Sequence, residues 1–522
     1  MRRRLLTLTG AAALVGLGAL AGGCGSAQPA PTTVRVAGAA RPAGSSPYPN
    51  GDLANTRDAA GSAISSANVS RLREAWTFKL AGAAAGGVSH LGSLAAAPVV
   101  AGGVVYLQDL YANVYAITLA TGQLRWEYQA NVAEKSGPGP DGVALAGGVV
   151  YGDTSTTAFA LQAATGKVLW SNGGLLSSGQ GSFEIQPAVA GGRVYLASAY
   201  GSGPGGGVLL ALDAATGKKR WSFSTVAGGE AAGVKALGVG SGGAWETPLV
   251  GRDGSVTFGT GNPYQTIGEA VSHPSQQLYT DSEVNLDAAT GKLRWYYQAV
   301  PDDFKDYDMQ LSPVAATVRG VPAIIGGGKM GDVYAMNAAT GALLWKTPVG
   351  AHNSRDDDST LLLGHKLTIT LPYTFEPGAL GGILTNMAVA DGSVYLATID
   401  LPLTAKTMNS VNGGSVAANV KPAGEIEALS LATGKVELDT KVPTLPLGAA
   451  TVSNDLVLTT LYTGQLLALN RATGAVAYHA ALPTSTNSPI TVAGNTVLVP
   501  AGGPQASAAG GGNPQLVAYT VP

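Results

Sequence analysis

The sequence has one cysteine, Cys24. Without a second thiol the chain can form no internal disulfide, no multi-thiolate zinc site and no covalently attached haem. Charge is scarce too: 12% of residues carry it, and 31 basic against 33 acidic residues leave a formal net charge of −2. That balance excludes a protein built to hold nucleic acid, and a 45% hydrophobic content excludes a disordered chain. The five histidines show no ligand spacing, and no glycine-rich phosphate cradle opens a helix. Glycine, in contrast, is abundant at 74 residues while aromatics are 6%, which suits many tight turns between short strands.

The first 24 residues run from three arginines through an apolar stretch to small residues ending at Cys24, the pattern of an export signal. Its closing "LAGGC" resembles a bacterial lipobox, in which the cysteine is lipidated and becomes the mature N-terminus. An ordinary secretory signal with an incidental cysteine is the plainer alternative. "RRRLL" is also compatible with twin-arginine export. Residues 25–50, rich in Ala, Pro, Gly and Ser, read as a flexible tether, and residues 51–522 as the folded body. The expected location is outside the cytoplasm, anchored through lipid to the outer face of the cell membrane or in the periplasm.

Seven segments, from "VYAITLATGQLRW" to "LLALNRATGAVAY", share an alternating apolar strand, a Thr-Gly turn and a second strand. Their turn glycines are 122, 166, 217, 291, 341, 434 and 474. The flanking runs are too short for helices, so each copy is a hairpin, and further strands upstream make a four-stranded propeller blade. An eighth blade is assembled from both ends: "NVSRLREAWTF" supplies the outermost strand, and "PITVAGNTVLVPAGG" with "QLVAYTVP" the inner ones. The fold class is therefore all-β, an eight-bladed propeller closed by its termini, which removes free sheet edges.

Trp126, Trp170, Trp221, Trp295 and Trp345 each follow a turn glycine by four residues, and Trp76 matches them in the split blade. They read as structural wedges between blades, each stabilising by about 2–3 kcal/mol through apolar burial. Leu438 and Tyr478 hold the same place in the last two copies, and Trp245 alone lies outside the pattern.

The Ala-Thr-Gly-Lys…Trp repeat resembles that of the quinoprotein dehydrogenases, in which an eight-bladed propeller holds pyrroloquinoline quinone (PQQ) near its axis. The stretch "NGDLANTRDAAGSAISSANVSRLREAWTFK" resembles that family's N-terminal lead-in. "GGAWETPLV…VTFGTGNP" and "LDAATGKLRWYYQAVPDDFKDYD" resemble the segments carrying its quinone floor, metal ligand and base. The resemblance implies that Trp245 lies beneath the quinone, that Asn262 is a metal ligand and that Asp306 is the catalytic base. It further implies that Asp308 is the additional carboxylate of lanthanide-dependent members and that Lys329 contacts the quinone oxygens. The implied cofactors are PQQ and a calcium or lanthanide ion. The implied partners are a small alcohol-like substrate and a separate electron acceptor such as a cytochrome.

Those residue types suit that chemistry. A planar cofactor needs an aromatic platform. Alcohol oxidation needs a carboxylate for the hydroxyl proton, beside an electrophile polarised by a hard cation. On an extended chain Asp306 and Asp308 would share one face, and without a cation such a pair repels until one carboxyl holds a proton. Asp302 and Asp303 read as a solvated loop offset by Lys305, and "RDDDS" from residue 355 likewise. One departure weakens the metal site: Ser202 stands where the family carries a glutamate ligand, with Glu184 and Glu246 as substitutes to test. The alternative reading, from a different class, is a propeller that lost its cofactor and serves as a protein-binding scaffold at the cell envelope, as in outer-membrane barrel assembly.

Overall fold

The computed structural model describes residues 44–82, 92–132, 141–199, 206–226, 242–410, 414–416, 420–503 and 513–522. Cys24, the stretch expected to be an export signal and Ser202 lie outside the described residues. Eight small antiparallel sheets form the eight blades. Blade 1 shows the common plan, with strands Val99–Ala101, Val104–Gln108, Val114–Thr118 and Leu124–Tyr128 in sequence order from inside to outside. In the eighth blade Arg73–Lys79 pairs antiparallel with Gln515–Thr520, outside Thr496–Ala501 and Thr491–Ala493. The two ends of the described chain thus close the ring as expected.

The tryptophans do more than fill space. In the six blades that carry one, the indole lies on the turn glycine of the next blade and donates from Nε1 to a carbonyl there. Trp76 donates to Leu119 O at 2.8 Å, Trp126 to Ala163 O at 2.9 Å and Trp345 to Leu431 O at 3.0 Å. Gly122, at φ +70°, would place a Cβ 2.7 Å from the Trp76 ring. Glycine is therefore required twice over, for the left-handed turn and for the indole it receives.

Residues 46–59 cross the inner rim of the ring as a strap. Ser46 pairs with Val100 of blade 1, Ala54 O accepts from Ala315 N of blade 5, Thr56 O from Val389 N of blade 6 and Arg57 O from Val452 N of blade 7. Ser46 and Asn50 are already buried, so the packed body begins before residue 50, where the tether was expected to end. Arg57, 3% exposed, binds Ala450 O, Thr451 Oγ1, Ile490 O and Asn50 Oδ1. Beside it Glu246 Oε2 accepts from Asn386 Nδ2 at 2.7 Å, and Gln186 Nε2 reaches Ala97 O and Val143 O. The inner rim on this side is thus closed by a hydrogen-bonded polar layer, as buried polar groups require.

Two short helices, α1 (Ile267–Ser272) and α2 (Asp358–Leu363), and a ribbon of Tyr373–Phe375 with Leu403–Ala405 are inserted between repeat elements. They pack with Phe304 and Tyr307 into one apolar cluster. Among the described residues no helix is long and apolar enough to cross a membrane.

Candidate active site

Blades 4 and 5 bring four chain segments together. Thr260 bridges Met309, Gly261 N donates to Gly243 O, and Lys329 N donates to Asp308 O. Glycine permits this approach: a Cβ on Gly328 would stand 1.8 Å from Asp308 O. A Cβ on Gly261 would stand 2.9 Å from Cη2 and Cζ3 of Trp245 and 2.8 Å from Asp308 Oδ1. Trp245 and the acidic segment therefore flank the same glycine.

The polar groups converge there. Asp306 Oδ1 accepts from Asn262 Nδ2 at 2.5 Å, and Asp308 Oδ1 from Asn262 N at 2.7 Å. Lys329 Nζ lies 3.0 Å from Asp306 Oδ2 and 2.5 Å from Asp308 Oδ2. Asn262, Asp306 and Asp308 are 2%, 5% and 0% exposed. Asp306 has φ +67°, so the chain there turns left-handed instead of running extended. Both carboxylates nevertheless meet the same ammonium. Burial pushes Asp306 well above the ordinary carboxylate range; Lys329 opposes that and Asp308 adds to it. Burial also opposes the Lys329 charge, but Asp306 and Asp308 outweigh it and raise its pKa.

Asn262 Oδ1 is buried without a hydrogen-bond partner. An orphaned amide oxygen beside two carboxylates is the donor set a hard cation takes, and the indole beside Gly261 gives a planar ring a face. The residues therefore fit both implied groups. No third carboxylate joins them: among the described residues no group of three or more His, Cys, Asp or Glu side chains is arranged to hold a metal ion. Neither suggested substitute is shown with these donors. Glu246 is bound into the polar layer by Asn386 and Ser312, and Glu184 Oε1 accepts from Ser182 Oγ and faces Asp153.

Asp302 and Asp303 are not a solvated loop. Both are buried: Asp302 accepts from Gln265 Nε2, and Asp303 takes the backbone N–H groups of Lys305 and Tyr307 at 2.9 and 2.7 Å. Lys305 is buried rather than a solvated counter-charge. Asp358 of the "RDDDS" run is buried as well, accepting from Tyr373 OH. The sequence also gave no sign of Asp281, fully buried, whose amide binds Gly261 O and whose pKa is driven up by burial, then by Asp303, Asp308 and Asp306.

Acids that are buried or partly buried give the fold a pH dependence. Burial raises Glu246 and Glu427 from 4.5 to about 7 and Asp302 from 3.8 to about 6. The folded state binds these protons more tightly than the unfolded chain, so the contribution is complete below the unfolded values, 4.5 for the glutamates and 3.8 for Asp302, and is lost as pH rises through about 7 and about 6. His352, raised by Asp356 against the effect of burial, acts in the same direction. The melting temperature of the unloaded protein should therefore fall between about pH 5 and 8, and Glu246→Gln should flatten that slope; calorimetry across this range checks it.

Residues 47–357 match the glucose/ethanol/alcohol dehydrogenase β-propeller domain family, and residues 422–519 match the outer membrane protein assembly factor BamB family. Quinoprotein alcohol dehydrogenase PedH of Pseudomonas putida is 29% identical over 268 residues, 46% of this chain and 44% of that protein. The chain spans less than half the length of the curated relatives it matches. Among solved structures, quinohemoprotein alcohol dehydrogenase from Comamonas testosteroni superposes with a TM-score of 0.77 at 22% identity, covering 92% of this chain and 80% of that one. A europium-containing methanol dehydrogenase gives 0.74 at 19%, covering 91% and 98%. Because the first family match takes in more than half of the sequence, and with it Trp245, Asn262, Asp306, Asp308 and Lys329, the chain belongs to the PQQ family of glucose/ethanol/alcohol dehydrogenase β-propeller domains.

Proposed function

We propose that the protein is an extracytoplasmic quinoprotein that oxidises a small alcohol with PQQ and a calcium or lanthanide ion. The observation that carries this reading is the meeting of Trp245, Asn262, Asp306, Asp308 and Lys329 around Gly261. When bound, the quinone supplies a two-electron acceptor for the hydrogen on the alcohol carbon, and a hard cation supplies Lewis acidity beside it. Trp245 offers the flat face and keeps water from it. Asn262, Asp306 and Asp308 offer oxygen donors. Asp306, with its raised proton affinity, takes the hydroxyl proton, and Lys329 holds oxyanion charge. Electrons leave to a separate carrier such as a cytochrome, since one cysteine leaves no place for an attached haem. Lipidation of Cys24 would anchor the protein at the cell surface or in the periplasm.

The second reading, a scaffold without cofactor, is favoured by the match of residues 422–519 to the BamB family. Those residues lie in the last three blades, apart from every candidate site residue. Titration with PQQ and calcium or lanthanum separates the two readings. The expected result is a saturable absorbance change and dye-linked oxidation within a panel of ethanol, 1-butanol and glucose; a scaffold would give neither.

A further inference from the structure

Lys305 is an ammonium with no exposed surface, and among the described residues it makes no ion pair. Its Nζ instead donates to Arg355 O at 2.6 Å and Asp356 O at 3.4 Å, and lies 4.2 Å from the centre of the Tyr307 ring. Desolvation opposes the charge and lowers its pKa even against the fields of Asp303, Asp358, Asp356 and Asp357, so this ammonium is costly compared with an apolar side chain of the same length. Such a choice calls for a role beyond packing.

The neighbours show what it holds. Lys305 immediately precedes Asp306, whose left-handed backbone is strained for a residue with a Cβ and persists only if fixed from outside. On the other side of the base, Tyr307 OH donates to Pro377 O at 2.8 Å. Asp303 caps the backbone of both flanking residues. The segment that receives Lys305 is itself anchored: Gly350 N binds Glu427 Oε1, Ala351 N binds Asp400 Oδ1, and Asn353 N binds Glu376 O. His352 pairs with Asp356 at 2.7 Å.

We propose that Lys305 is a positioning residue, tying the turn that aims Asp306 at Asn262 and Lys329 to the anchored segment 350–358. The proposal rests on the reading of Asp306 as the base. Displacing a reacting group by about 1 Å costs about a hundredfold in rate.

The test compares Lys305→Met and Lys305→Arg with wild type. In unloaded Lys305→Met, amide hydrogen exchange should quicken in residues 302–308 and 350–358 and stay unchanged in the outer strands. Loaded with PQQ and calcium, it should lose about a hundredfold in kcat with KM for the oxidised alcohol nearly unchanged, and Lys305→Arg, which keeps a cation for the two carbonyls, should recover most of the rate. Unchanged exchange in both segments, or wild-type kcat in Lys305→Met, overturns the proposal. Should Lys305→Met not unfold cooperatively, Lys305→Gln takes its place with the same expectations. A wild-type protein that oxidises nothing would remove the quinoprotein reading, and the exchange result would still decide whether Lys305 braces this turn.

Discussion

Asp306→Asn is expected to lower kcat by about 10²–10⁴-fold, the usual worth of a general base, without loss of the fold. The amide has the carboxylate's shape, and its oxygen can still accept from Asn262 Nδ2, which is 2.5 Å away in the native protein. Lys329 would keep Asp308 as a partner at 2.5 Å. What vanishes is a group able to take a proton. Dye-linked turnover at saturating alcohol measures the loss, and the absorbance titration with PQQ, expected to remain saturable, separates chemistry from binding. Turnover at the wild-type rate would mean that the base lies elsewhere, with Asp308 the next residue to replace.

Arg57→Ala should produce the largest loss of stability, about 3–5 kcal/mol, the cost of breaking a buried charged cluster by removing one member. Arg57 is the knot of the strap: its guanidinium joins Ala450 O, Thr451 and Ile490 O, in blades 7 and 8, to Asn50. Truncation strands those acceptors away from water and takes from Glu246 the cation nearest its carboxylate. Burial holds the Arg57 pKa down to about 10 against the opposing charge of Glu246, so desolvation already works against the guanidinium, and its acceptors help to offset that. Equilibrium unfolding in guanidinium chloride, comparing midpoints at equal slope, checks the figure; a wild-type midpoint would show that the strap contributes nothing to closing the ring.

The repeat made the architecture legible because a blade is a local object. Its alternation, its Thr-Gly turn and its tryptophan lie within a dozen or so residues, and the split blade follows once seven copies are counted. In the sequence the turn glycines read only as marks of tight turns. Their second purpose, receiving the indole of the preceding blade, becomes visible only when Trp76 is seen on Gly122, 46 positions along the chain.

The strap and the acidic segment were harder for the opposite reason. "NGDLANTRD" has the composition of a surface loop, and nothing local says that Arg57 finds its acceptors some 400 residues away. Asp302 and Asp303 looked solvated because an isolated carboxylate belongs in water. The donors that allow burial are Gln265, 37 positions back, and the loop's own N–H groups, available only once Asp306 adopts a left-handed turn. Motif resemblance singled out Trp245, Asn262, Asp306, Asp308 and Lys329; it could not show that Lys329 touches both carboxylates.

The most direct test of the central claim is a crystal structure of the protein loaded with PQQ and lanthanum. The account predicts the quinone ring stacked on the Trp245 indole, with the ion bound by Asn262 Oδ1 and the Asp306 and Asp308 carboxylates and Lys329 turned toward the quinone oxygens. Quinone or ion bound at any other place, with Lys329 still paired to Asp306 and Asp308, would contradict it.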